Sequence, residues 1–258
     1  MLLRGDMDAL EMPENTGLDF ASRIDGAMHA CGHDTHTAML VGAAKLLSDR
    51  RNQFAGRVLF MFPPGKEGHH GAQFMLDEGL LEVGALSDGS ASAVESAFAL
   101  HMSAALPSGW VSTRGGPVMA SADTMQIIIT GKRGHASEPY RAVDPIPVAC
   151  EIVTALQTMI TRSVNVFDPS VVTVGRITAG TTNNVIPETA HIEGTIRAVS
   201  ERTRALVHDG IKRVAENVAA AHGCDGNVEI IYGYPVTTND DKFAEFTLDL
   251  AREVAGPK

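Results

Sequence analysis

The sequence predicts an α/β protein, a mostly parallel sheet followed by a separate and smaller α+β domain. Two patterns predict it. In the first part, short apolar runs bounded by turn residues alternate with segments of helical periodicity, as in a sheet whose strands are buried under helices. In the second part, the order becomes strand-helix-strand-strand-helix-strand, the split βαβ arrangement of a ferredoxin-like sandwich.

The chain opens with Leu2-Leu3-Arg4-Gly5-Asp6, which reads as the end of a strand with nothing ahead of it. Together with a final stretch that stops just after a helix over 241–254, this predicts a fragment of a longer protein. Ala, Leu and Met recur at helical spacing over 36–50. The run 57–62 predicts a buried strand, 71–81 a helix, and 97–102 another strand. In the second part, strands are expected over 123–131, 170–179, 189–198 and 227–233. Helices are expected over 145–162, with Asp144 as N-cap and Pro145 in the first turn, and over 201–222, capped by Ser200 and stopped by Gly223.

Lys and Arg number 21 against 31 Asp and Glu, a net charge of −10. That balance argues against non-specific nucleic-acid or anionic-membrane binding, which draws on surplus cations. No apolar run approaches the roughly 20 residues of a membrane span, and Arg4, Asp6 and Asp8 break up any signal-peptide pattern. Three cysteines, Cys31, Cys150 and Cys224, form no disulfide framework and point to a reducing cytoplasm.

Seven of the ten histidines lie between His29 and His135. The densest stretch is Met28-His29-Ala30-Cys31-Gly32-His33-Asp34-Thr35-His36, just before a predicted helix. A thiolate and an imidazole two residues apart can share one divalent ion or hold neighbouring ions. Taken alone, the stretch also reads as a loop with incidental histidines. Asp6-Met7-Asp8 and His101 lie at the ends of predicted strands and Glu67 follows one, and ligands gather beyond the carboxyl ends of parallel strands. The second part adds His135 in a Gly-rich turn, Asn184 in Asn-Asn-Val-Ile-Pro, and Arg197 in Gly-Thr-Ile-Arg. Each has a bland reading, as a turn former or a solvated strand residue.

Together these segments resemble the dinuclear-metal aminoacylase and carboxypeptidase family, in the subfamily of hippurate hydrolases, N-acyl-amino-acid amidohydrolases and auxin-conjugate hydrolases. The matching stretches are Leu3–Leu10, Met28–Met39, Glu67–Ala72, Ala99–His101, Gly134–Ala136, Asn184–Pro187 and Gly194–Arg197, in the family's order. The resemblance implies a catalytic domain, incomplete here, with an inserted ferredoxin-like lid. The domains would be 1–116 for the metal-binding part, 117–230 for the lid and dimerisation domain, and 231–258 for the start of the returning catalytic segment. It implies two divalent metal ions, zinc, manganese or similar. Cys31, His33, Glu67 and His101 match metal ligands, and Asp8 matches the acidic residue that supports them. His135, Asn184 and Arg197 match lid groups that contact substrate. The implied reaction is hydrolysis of the amide of an N-acyl amino acid or small peptide by a homodimer joined through its lids.

Two departures from the family pattern bear on activity. Where the family has Gln-Pro-x-Glu-Glu-Gly, this chain has Pro63-Pro64-Gly65-Lys66-Glu67-Gly68, so Lys66 stands at the general-base position. A further metal-binding His of the family's C-terminal segment is absent from these 258 residues. The stretch 85–95 also reads as an extra loop. The resemblance therefore implies an impaired hydrolase, with two alternatives: a vestigial non-catalytic homologue, or a dimerisation or ligand-binding module. Bound metal separates the enzyme from the module, and turnover separates it from the vestigial homologue.

Overall fold

The computed structural model describes residues 1–82 and 94–256. The chain divides into two compact units, Met1–Ser108 and Gly109–Lys258.

The first unit contains β1 (Leu2–Arg4), α1 (His33–Asp49), β2 (Leu59–Met61), α2 (Gly71–Asp77) and β3 (Ala97–Ala99). Its strands form a parallel sheet in the order β2-β1-β3. Leu2, Met61 and Leu80 form its buried apolar cluster. The strands are shorter than the apolar runs predicted. His101 lies two residues beyond β3 rather than at the end of a strand over 97–102. The helix expected over 71–81 stops at Asp77, because Gly79 takes φ 88° and only a 3-10 turn, Leu80–Glu82, follows. The helix expected from residue 36 starts three residues earlier, at His33, behind Gly32 at φ 77°. The periodic signal missed that first turn because His and Asp carry no apolar pattern. The extra loop expected over 85–95 falls mostly outside the described residues.

Gly5 ends β1 where the chain passes against α1. A methyl group there would stand 2.8 Å from the carbonyl oxygen of His36. The absence of a side chain lets the β1 end approach the helix that carries the histidines.

The second unit contains β4 (Gly116–Met119), β5 (Ala122–Thr130), β6 (Gly134–His135), α3 (Pro145–Ser163), β7 (Ser170–Ala179) and β8 (Val185–Ile186). It continues with β9 (Thr189–Ala198), α4 (Glu201–Ala221), β10 (Asp225–Tyr234), β11 (Thr237–Asn239) and α5 (Asp241–Ala255). Its main sheet is antiparallel, in the order β10-β5-β9-β7, as a split βαβ fold requires. Met125, Ile127 and Ile129 alternate inward along β5, and Ile192 and Ile196 do so on β9. The stripes Val148, Ile152, Leu156 and Met159 of α3 and Val207, Ile211, Ala215 and Ala219 of α4 pack into the same core. Asp144 accepts from the Ile146 amide and Ser200 from the Thr203 amide, so both predicted caps form. The two-stranded pairs β11-β4 and β6-β8 were beyond sequence reading, being only two to four residues per strand.

One buried charge cluster ties α4 to the sheet. Asp123 of β5 receives Nε and Nη2 of Arg204 at 2.8 and 2.6 Å, and lies 3.0 Å from His208 Nε2. The Gly233 amide also donates to it, at 2.9 Å. Burial alone would raise the Asp123 pKa; the Arg204 contacts and the Gly233 amide outweigh it and hold the carboxylate below its usual range.

Candidate metal centre

The centre lies in the first unit and is assembled from four chain segments. Gly32, in a left-handed conformation, turns the backbone so that Cys31 precedes α1 and His33 is its first residue. His33 is fully buried. Its Nδ1 lies 2.9 Å from the Asp8 carbonyl oxygen and 3.1 Å from Asp8 Oδ1. Both partners are acceptors, so Nδ1 carries the proton and Nε2 presents a lone pair. That Nε2 is buried and has no hydrogen-bond partner. A buried acceptor with nothing to accept from, on a ring fixed from behind by a carboxylate, is the arrangement that suits a metal-ligating histidine.

The other donors converge on it. One donor atom each from Cys31, His33 and His101 lies within 4.8 Å of the others. Cys31 Sγ is 3.5 Å from His101 Nε2, and the other nitrogen of His101 lies 2.6 Å from the Met102 carbonyl oxygen. Glu67 Oε1 stands 3.6 Å from His33 Nε2. Asp8 also reaches a second partner. Its Oδ2 accepts from the Glu67 amide at 2.8 Å, so one carboxylate orients both His33 and the Glu67 backbone. Burial would raise the Asp8 pKa, but backbone hydrogen bonds, chiefly from Glu67, outweigh it and keep Asp8 below the usual range. Burial, with Glu67 nearby, pushes the Cys31 thiol up. The donor set, one sulfur and two imidazoles with a carboxylate at hand, fits zinc or a similar transition metal better than magnesium.

Lys66 sits at the same place. Its Nζ is 2.9 Å from Glu67 Oε1. Burial favours the neutral amine, but the hydrogen bond and charge of Glu67 outweigh it and hold the Lys66 pKa above its usual value. The side chain is therefore an ammonium.

Two further residues belong here: Asp6, which sequence reading placed with Asp8 at a strand end, and His36, which it left unassigned. Asp6 and His36 form, with His33, a second buried group whose donor atoms could hold an ion. His36 Nδ1 is 3.8 Å from Asp6 Oδ2, while the other ring nitrogen accepts from the Met102 amide at 2.9 Å. The available signal was the spacing: His33 and His36 are three apart, one helical turn, and share a face of α1.

In the second unit, His135 and Asn184 are neighbours through the β6-β8 ladder, with the Ala136 amide donating to the Asn184 carbonyl at 3.1 Å. His135 Nδ1 accepts from the Ser137 amide at 3.1 Å, so its proton resides on Nε2. Arg197 stands outside that ladder, exposed on β9 opposite Val171.

Comparison with known proteins matches the sequence pattern of peptidase family M20/M25/M40 to residues 2–258. The chain belongs to this family. This M20 chain is 40% identical over 253 residues to N-acetylcysteine deacetylase of Bacillus subtilis, covering 98% of the chain and 63% of the relative. It is 38% identical over 249 residues to an Arabidopsis thaliana IAA-amino acid hydrolase, ILR1-like 2, covering 95% of the chain and 54% of the relative. Among solved structures, a Bacillus subtilis protein described as a dinuclear metal binding peptidase from the M20 family matches with a TM-score of 0.80 at 37% identity. That match covers 98% of this chain and 63% of the other. A putative aminohydrolase from methicillin-resistant Staphylococcus aureus matches with a TM-score of 0.89 at 34% identity, over 98% and 65% of the two chains. This M20 chain thus spans less than two thirds of the length of these relatives.

Proposed function

We propose that the chain is the metal-binding and substrate-binding part of a metal-dependent amidohydrolase that cleaves the amide of N-acyl amino acids or small peptides. The observation that carries this reading is the convergence of Cys31, His33 and His101 around the buried, unbonded Nε2 of His33. The names of the M20 relatives, a deacetylase of N-acetylcysteine and a hydrolase of IAA-amino acids, support the substrate class.

In this reading Cys31, His33, Glu67 and His101 hold divalent ions, two by analogy with the dinuclear relative, and Asp8 orients His33. When bound, such ions polarise an amide carbonyl and favour deprotonation of water. Residues 1–116 supply this centre and residues 117–230 supply substrate contacts. Arg197 binds the substrate carboxylate, for which a guanidinium offers a bidentate fork. His135 offers Nε2–H as a donor to an oxygen that gains charge in the transition state. Asn184 offers a side-chain amide beside it. Lys66 at the base position weakens the reaction, because an ammonium cannot take a proton from water.

A homodimer through residues 117–230 and a cytoplasmic setting belong to the same reading. The outer edge of β7 in the main sheet and the exposed Phe167 and Val171 support the first, and three free cysteines support the second. Among the described residues, no helix is long and apolar enough to cross a membrane.

The test is metal content by elemental analysis, followed by hydrolysis of an N-acetyl amino acid series. Bound zinc or manganese that is lost in Cys31→Ser and His33→Ala supports the reading. Metal binding unchanged in both variants overturns it.

A further inference from the structure

We propose that His36, backed by Asp6, is a positioning residue that sets the ring of His101 toward the metal centre through the backbone of Met102. The inference rests on the reading of His101 as a metal ligand and adds a support for that ligand, drawn from geometry in this chain.

His36 is 2% exposed and lies one turn after His33 on α1. Its Nε2 accepts from the Met102 amide at 2.9 Å, so that nitrogen carries no proton and the neutral ring bears its hydrogen on Nδ1. The Nδ1 atom is buried without a hydrogen-bond partner and has Asp6 Oδ2 at 3.8 Å. Asp6 is itself fixed, since its Oδ1 accepts from Arg4 Nε at 2.8 Å. The carboxylate therefore favours the tautomer that leaves Nε2 free to accept.

Met102 is the relay. Its amide is held by His36, and its carbonyl accepts from His101 Nδ1 at 2.6 Å. That bond fixes the His101 tautomer and leaves its Nε2 bare, 3.5 Å from Cys31 Sγ. The His36 and His101 rings also pack edge to face, 4.7 Å apart at 73°. Nor is there slack on the other side: a methyl on Gly32 would stand 3.0 Å from Met102 Cβ. An apolar side chain at position 36 would preserve the packing and leave the Met102 amide without its acceptor. A histidine used only as filler has no need of both ring nitrogens directed at polar groups.

The experiment uses the 258-residue chain labelled with ¹⁵N and free of metal, its variants His36→Leu, His36→Asn and Asp6→Asn, and cobalt(II) as the metal probe. Long-range ¹H–¹⁵N correlation reads the tautomers of His36 and His101, and hydrogen exchange reads the Met102 amide. Both rings should be Nδ1–H in the parent. In His36→Leu, the Met102 amide should lose protection and His101 should become a mixture of tautomers. Cobalt affinity, read from thiolate-to-cobalt absorption, should fall about 10–100-fold. His36→Asn keeps an acceptor for Met102 and should stay within a few-fold of the parent, and Asp6→Asn should fall between. An Nε2–H tautomer of His36 in the parent overturns the proposal, whether or not any variant folds. So does a His36→Leu chain with the parent's His101 tautomer, or a His36→Asn chain that loses as much as His36→Leu. If the parent takes up no cobalt, the metal-centre reading fails, while tautomers and exchange still decide whether His36 positions His101.

Discussion

Lys66 Nζ and His33 Nε2 face the same carboxylate oxygen, Glu67 Oε1, at 2.9 and 3.6 Å. On the proposed reading, this ammonium stands at the general-base position. Lys66→Glu is expected to raise hydrolysis of an N-acyl amino acid by about 10²–10⁴-fold, the usual contribution of a general base. Steady-state kinetics on the full gene product checks it. Equal rates for the parent and the Lys66→Glu variant would remove the base argument.

Metal uptake should release protons. Burial raises the metal-free Cys31 thiol pKa, so the side chain is protonated near neutral pH and must ionise to ligate. Zinc affinity should therefore rise with pH between about 6 and 8, up to about tenfold per pH unit for one proton released. Calorimetry in buffers of different ionisation heat measures the proton count. Cys31→Ser should lose affinity; if it kept the parent's proton count, that assignment would fail.

Arg197→Ala should raise KM for substrates with a free carboxylate about 10- to 100-fold, the loss of a charge-assisted hydrogen-bond pair. The corresponding substrate amides should be affected little. An unchanged ratio between the two substrate sets would remove Arg197 from substrate capture.

Acid should weaken the second unit through Asp123. Its folded pKa is depressed, so its contribution is full above the unfolded value near 3.8 and is lost as pH falls through the lower folded value. Asp123→Asn should destabilise the unit by about 3–5 kcal/mol at neutral pH, because it strands the buried Arg204. It should also flatten the acid limb of the stability curve. Chemical denaturation between about pH 2 and 7 measures both effects.

The long elements of the second unit could be read directly. The strands Ser170–Ala179 and Thr189–Ala198 match their predicted bounds, because ten-residue runs rich in strand formers between turn residues are long enough to carry a signal. The first unit was harder, since strands of three residues carry no period and the first turn of α1 is polar. At the centre, the individual donors Cys31, His33, Glu67 and His101 were visible as residue types near turns, and their convergence is a tertiary fact. The place of His36 was not legible, because its partner is the Met102 backbone amide, which no side-chain pattern encodes. His135 and Asn184, read separately from the sequence, are joined by the β6-β8 ladder, while Arg197 belongs to β9.

Among the described residues, the apolar cluster of the first unit has three buried members, while that of the second has seventeen. The half of the molecule that carries the donors is thus the half with least hydrophobic support. Any ion taken by Cys31, His33 and His101 joins the start of α1 to the segment after β3, and binds only when these are brought together. Occupancy and local folding become one equilibrium, and the melting point of residues 1–108 should climb with free zinc concentration while that of the second unit stays put. Chelation would act on this chain as a denaturant of one unit.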